Sequence, residues 1–155
     1  MVLTTIILLH SQPAPTDFTQ LVIDKPAVEI KLSEASNASF RVGYRNITKR
    51  NVQIRFSPIQ CILLDSKGEE VQRNSYGAKT KLNQMTGNKA KLYSLAPGET
   101  RWFAYGAPLK EFNIAPGRYS LMFDAVGQAG YALKGIGWPY DQTLVSQKIT
   151  VTIKP

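Results

Sequence analysis

Hydrophobic and polar residues alternate in short runs along most of the chain. Val28, Ile30 and Leu32 alternate with Glu29 and Lys31. Phe40, Val42 and Tyr44 alternate with Arg41, Gly43 and Arg45. Val52, Ile54 and Phe56 form a third run, stopped at Ser57-Pro58. Tyr119, Leu121 and Phe123 alternate with Arg118, Ser120, Met122 and Asp124, and the chain closes with Val145, Gln147, Ile149, Val151 and Ile153 against Ser146, Lys148, Thr150 and Thr152. A period of two is the mark of a strand with one face in a core and one in water. Gln60 to Leu64 is apolar without alternation, which predicts a strand buried on both faces. Phe18, Leu21 and Ile23 lead into Lys25-Pro26.

Turn chemistry separates these runs. Leu95-Ala96-Pro97-Gly98 precedes Thr100, Trp102, Phe103 and Tyr105, and Ile114-Ala115-Pro116-Gly117 precedes Tyr119. Proline presets φ for the second position of a turn, and glycine accepts the positive φ that a type II turn needs next. Asp65-Ser66-Lys67-Gly68 reads as a type I turn, Ser33 to Asn37 as a turn cluster, and Asn46 to Asn51 as a polar loop. Gly117-Arg118-Tyr119 reads as a tyrosine corner, where the phenol bonds back across the preceding turn. No stretch of ten or more residues has helical spacing. Gln72 to Leu92 lacks periodicity and is expected to hold one irregular strand, with Lys91 to Ser94 pairing back into a sheet. Gly127 to Tyr140 reads as a glycine-rich loop. Together these features predict an all-β, immunoglobulin-like antiparallel sandwich of seven to nine strands.

Composition narrows the class. The 155 residues suit one domain, expected over residues 17–155. Residues 1–16 are set apart as an apolar, signal-like segment, Met1 to Leu9, followed by a proline-containing linker. The alternative is an N-terminal strand on the sandwich. At nine residues, this run falls short of the roughly 20 needed to span a bilayer. The signal-like reading places the protein outside the cytoplasm, periplasmic or secreted; the alternative is cytoplasmic. A formal net charge of +8 favours anionic partners or, more plainly, solubility.

Candidate chemistry is sparse. The one histidine, His10, lies in the N-terminal tail, where no fold holds it as a base. The one cysteine, Cys61, excludes an internal disulfide and sits in an apolar run as a core residue. Glu69 and Glu70 are adjacent, so on a strand they point to opposite faces and cannot act as a pair. No zinc or calcium ligand spacing, GxGxxG or Walker run occurs. The pattern therefore implies no enzyme, no cofactor and no metal, with no proton-shuttling group in a fixed place. Two surfaces remain. Tyr131, Trp138 and Tyr140 on the glycine-rich connection could form an aromatic platform for a sugar ring or a partner side chain, or could fold back and cap the end of the sandwich. Arg73, Lys79, Lys81, Lys89 and Lys91 form a basic segment, with Lys79 and Lys81 as candidate contacts. Only Tyr76 is interleaved, so the segment reads as a solvated basic loop rather than a nucleic-acid groove. The function expected is a non-catalytic binding module for a protein or glycan, acting through end loops. The tripeptides Asn37-Ala38-Ser39 and Asn46-Ile47-Thr48 are glycosylation sequons only if the chain enters a eukaryotic secretory pathway.

Several of these pieces occur together elsewhere. Phe40 to Asn46, Val52 to Phe56, Ile62 to Val71, Leu95 to Thr100 and Ile114 to Tyr119 resemble the intracellular proteinase inhibitor (BsuPI-like) family. The resemblance spans roughly residues 38 to 124. It implies an immunoglobulin-like sandwich with a strand ending in Asn, an Asp-x-x-Gly hairpin and two Pro-Gly turns. It also implies proteinase inhibition as the alternative function, with no inhibitory residue carried over.

Overall fold

The structure, a computed structural model, describes residues 18–87, 91–131 and 140–155. In chain order the elements begin with β1 (Thr19–Ile23), β2 (Ala27–Lys31), a one-turn helix α1 (Leu32–Ala35), β3 (Phe40–Asn46), β4 (Val52–Phe56) and β5 (Gln60–Leu64). They continue with helix α2 (Ser75–Gly87), β6 (Leu92–Leu95), β7 (Thr100–Gly106), a 3-10 turn (Pro108–Glu111), β8 (Gly117–Tyr131), β9 (Tyr140–Val145) and β10 (Ile149–Lys154).

Two sheets pack face to face. The smaller one runs β1–β3–β7, antiparallel throughout. The larger one is organised on β8. One edge of β8 pairs with β4 through Gly127 to Tyr131 and with β5 through Ser120 to Asp124. The other edge pairs with β9 through Asp124 to Ala129 and with β10 through Gly117 to Leu121. Thus β4 and β5 are one line of chain broken near Pro58, and β9 and β10 are another broken at Ser146. Counting each line once gives eight, and the expected immunoglobulin-like sandwich is borne out.

A serine stitches each break to β8. The Ser57 amide donates to the Val126 carbonyl at 2.8 Å, and the Val126 amide donates to Ser57 Oγ at 3.2 Å. On the opposite edge the Ser146 amide donates to the Phe123 carbonyl at 2.8 Å, and the Phe123 amide donates to Ser146 Oγ at 2.9 Å. The serines supply the ladder bonds that the interrupted strands cannot, so the backbone of β8 stays satisfied where both neighbours bend.

The core lies between the sheets. Phe18, Leu21, Phe40 and Val42 meet Ile54, Cys61, Leu63, Leu121, Phe123 and Val151, all nearly or wholly inaccessible to solvent. Burying each large side chain contributes about 1.5–3 kcal/mol. Asn46 is buried among them with its amide satisfied. Its Nδ2 donates to the carbonyls of Arg50 (2.7 Å) and Leu95 (3.0 Å), and Oδ1 accepts from the Thr48 amide at 2.8 Å. That arrangement ties the end of β3 to two neighbouring turns and leaves the Asn46 sequon closed in the folded protein; Asn37 is exposed. The tyrosine corner forms as expected: Tyr119 Oη donates to the Ala115 carbonyl at 3.0 Å and accepts from its amide at 3.1 Å. The Asp65 turn also forms, with Gly68 at φ +83° and Asp65 Oδ1 accepting from the Lys67 and Glu69 amides.

Four local expectations are corrected. The region expected to hold an irregular strand is helix α2. Asn74 starts it, because Asn74 Oδ1 accepts the Gly77 amide at 2.9 Å as an N-cap does. Its Nδ2 also donates to the Lys110 and Phe112 carbonyls, pinning the helix to the 3-10 turn. Gly77 faces that turn so closely that a β-carbon would lie 2.1 Å from the Glu111 carbonyl oxygen. The helix has no apolar stripe, since Tyr76 and Leu82 are exposed, so periodicity could not reveal it.

Gly127 to Tyr131 is not loop but the far end of β8. Gly127 permits this, because a β-carbon there would meet the Arg55 carbonyl oxygen at 2.2 Å. The last strand is not continuous from Val145 to Ile153: the chain breaks at Ser146, and Val145 and Gln147 both face solvent. Gln147 is therefore no polar intruder on an inner face. Finally, the sandwich is not wholly antiparallel. After β1 the chain crosses to the other sheet, where β2 runs parallel to β10, and Leu32 leaves the strand for α1.

Candidate functional site

Tyr131 ends β8 at one end of the sandwich. Its ring takes the edge of Phe18 at a centroid distance of 5.1 Å, and the Arg50 guanidinium lies 4.2 Å from its centroid. It is thereby a half-buried root for the connection to β9 rather than a bare platform. Trp138 lies outside the described residues, as do residues 1–17 with His10, and Lys89. Tyr140 opens β9, and its side chain also lies outside them. Lys79 is exposed on α2, and Lys81, two residues further on, is half-buried. The structure does not bring Tyr131 and the two lysines into one site.

The basic segment is not uniformly solvated. Arg73 leaves the β5–α2 connection inward, its side chain 11% exposed, and pairs with Glu111, whose side chain is 5% exposed. Arg73 also donates to the Cys61 carbonyl, lies over the Phe112 ring at 4.9 Å, and shares Glu111 with the Tyr105 hydroxyl, which donates at 3.2 Å. The fold thus fixes a guanidinium, a carboxylate and a phenol at the root of α2. Each is engaged by another. A buried pair of this kind holds its partners together because either charge alone would be stranded away from water.

Three groups in the fold are shifted. Burial pushes the Cys61 thiol well above its ordinary range, with the Glu111 charge adding to it, so this core cysteine is not a nucleophile. Burial also raises Asp124, against the opposing pull of Lys81. Burial raises the Tyr44 phenol, whose ring stacks on Phe56 at 4.8 Å. Among the described residues no cluster of three or more His, Cys, Asp or Glu side chains is spaced to hold a metal ion.

One surface escaped the sequence reading. Trp102, assigned only to a strand, stands on the outer face of the smaller sheet opposite Gly43, 37% exposed, with the Arg41 guanidinium 5.4 Å from its ring. Strict alternation would have found it, since Trp102 falls on the face opposite Phe103 and Tyr105. Elsewhere, an open depression between β2 and β10 is lined by Glu29, Arg118, Thr150 and Thr152, with Glu29 already engaged by Lys154 at 2.5 Å.

No protein-family model matches the chain, and no curated protein matches it. Solved structures show distant likenesses. One is a chain of the Salmonella enterica SafA pilin in complex with the SafB chaperone, at 6% identity and a TM-score of 0.39, covering 91% of this chain and 57% of that one. Another is the periplasmic chaperone SfaE, at 8% identity and 0.37, covering 87% and 57%. A third is the ASH/PapD-like domain of human CEP192, at 9% identity and 0.36, covering 99% and 96%. The chain therefore spans 57% of the length of each of the first two. The fold assignment rests on the strand pairing described above. No helix among the described residues is long and apolar enough to cross a membrane.

Proposed function

We propose that this chain is a non-catalytic interaction module, exported from the cytoplasm, that holds a protein or glycan partner with loops at one end of its sandwich. The observation that carries this reading is the seating of Tyr131. Phe18 and Arg50 clamp its ring, so the segment between Tyr131 and Tyr140, which contains Trp138, springs from a rigid base. Recognition residues are commonly displayed in this way, on connections held by a firm scaffold. Lys79 and Lys81 on α2 supply a second, basic contact. The fixed ionisable groups at the root of α2 are engaged with one another, which suits a structural role and not turnover.

Trp138→Ala tests the loop reading in pull-down and glycan-array measurements. The expected result is loss of the captured partner with the fold intact; unchanged binding to every partner found removes the loop from the account. Export is supported by the apolar run from Met1 to Leu9. Fusing residues 1–16 to a reporter active only outside the cytoplasm tests it, and a silent reporter rejects it. The residues on which the resemblance to the proteinase inhibitor family rests, Asn46, the Asp65 turn and the Tyr119 corner, are engaged in holding the fold. They supply no reason to place a loop in a protease cleft.

A further inference from the structure

The outer face of the β1–β3–β7 sheet carries an ordered grid of side chains. Strand register places Gln20, Arg45 and Thr100 in one row, Val22, Gly43 and Trp102 in the next, and Asp24, Arg41 and Ala104 in the third. Two features set this grid apart from an ordinary solvated face.

First, its centre is apolar and shaped. Gly43 leaves a hollow into which Trp102 and Thr100 lean, because a β-carbon at position 43 would come 2.9 Å from both Trp102 Cε3 and Thr100 Cγ2. The indole is thereby laid against β3 and yet stays open to solvent, beside the half-buried Val22.

Second, the centre is flanked by two aimed guanidinium groups. Arg41 Nε donates to Asp24 Oδ2 at 3.2 Å, and Arg45 Nε donates to Thr100 Oγ1 at 3.0 Å. Each arginine is positioned through its ε nitrogen. Among the described residues the terminal nitrogens of both have no hydrogen-bond partner. The fork that remains is the one that receives a carboxylate in a bidentate manner. Asp24, the carboxylate within the grid, is already taken by Arg41.

We propose that this face docks an acidic protein segment, with carboxylates on Arg41 and Arg45 and an apolar side chain between them on Trp102 and Val22. Spacing favours an extended polypeptide. Arg41 and Arg45 are four residues apart on one strand, about 13 Å at the usual strand rise. An extended segment repeats its side chains with the same rise, so carboxylates at positions i and i+4 reach both forks while i+2 covers the indole. An apolar centre containing Trp, rimmed by Arg, is the composition in which binding energy concentrates at protein interfaces. The formal net charge of +8 draws such a partner in. This site is separate from the end loops, and it stands or falls independently of them.

The test uses a labelled 12-residue peptide with glutamates at its fourth and eighth positions and leucine at its sixth, read by fluorescence anisotropy at low and moderate salt. The expected result is saturable binding that weakens with salt and falls roughly tenfold in Arg45→Gln and in Arg41→Gln, as loss of a charged hydrogen bond implies. Trp102→Ala is expected to weaken it at least as much. Because Arg41 also bonds Asp24, unfolding midpoints accompany each variant, and Arg45→Gln carries the test if Arg41→Gln disturbs the fold. The proposal is overturned if a peptide with glutamines in place of glutamates binds equally. It is overturned as well if the variants bind like the parent, if the peptide fails to bind at millimolar concentration, or if a hexauronate binds while the peptide does not.

Discussion

The indole of Trp102 takes the space that any side chain at position 43 would need, with Cε3 at 2.9 Å from where a β-carbon on Gly43 would sit. Gly43 is buried on a strand whose neighbours Val42 and Tyr44 are core, so the backbone itself cannot retreat. Gly43→Ala is therefore expected to displace the indole and to cost about 1–3 kcal/mol, the usual range for overpacking. Urea unfolding measures the cost, and Trp102 fluorescence reports the displacement in a Trp138→Phe background. An alanine accepted with neither change would show that the hollow is not a constraint.

The Arg73–Glu111 pair fastens the root of α2. Removing one member strands the other, so Glu111→Gln or Arg73→Met alone is expected to destabilise the fold by roughly 3–5 kcal/mol. Replacing both, as Arg73→Met with Glu111→Leu, is expected to recover much of that loss because no charge is left buried. A double-mutant cycle in denaturant reads the coupling. Additive losses would mean that the two side chains act separately.

Asp124 links stability to pH. Burial raises its carboxyl, so the folded chain holds that proton more tightly than the unfolded chain does. The stabilisation from this preference is present below the ordinary carboxylate range and lost as pH rises through the raised value. Its Oδ1 is also buried without a hydrogen-bond partner among the described residues. Asp124→Asn is accordingly expected to be more stable than the parent at pH 7, with the difference vanishing near pH 3. An asparagine variant less stable at pH 7 would show that attraction to Lys81 and Arg73 outweighs burial.

Cys61 is expected to ignore a thiol reagent at pH 8 in the native protein and to react fully in denaturant, since burial both shields the sulfur and disfavours its thiolate. Rapid native labelling at a rate matching a free thiol would contradict the packing around it.

Much of the sandwich was legible because alternation and turn chemistry are local. The inward sets of β3, β4 and the first half of β8 follow from period two, and the Asp65 turn and Tyr119 corner follow from residue type. Helix α2 was hidden because its stability comes from one end. Asn74 caps it and Gly77 packs on the 3-10 turn, while its surface lacks the apolar stripe that marks a helix. Asparagine ahead of Ser75 was the available signal. The extension of β8 was hidden because glycine reads as loop, whereas Gly127 serves close approach between strands. The break at Ser146 was hidden because the polar side chain that would end a strand instead replaces its ladder bonds. At the candidate site, Arg41, Gly43 and Arg45 were visible as one outward face. What aligns them with Trp102 is the pairing of β3 with β7, a long-range register that no local pattern carries.

On the proposed reading, this sandwich works by presenting fixed surfaces, with the Trp102 face among them. A residue-resolved amide-shift titration with the glutamate peptide addresses that most directly. Shifts are expected to cluster at residues 20–24, 41–45 and 100–104, with β5 and β10 unmoved. Shifts centred on β5 and β10, or spread evenly over the molecule, would contradict it.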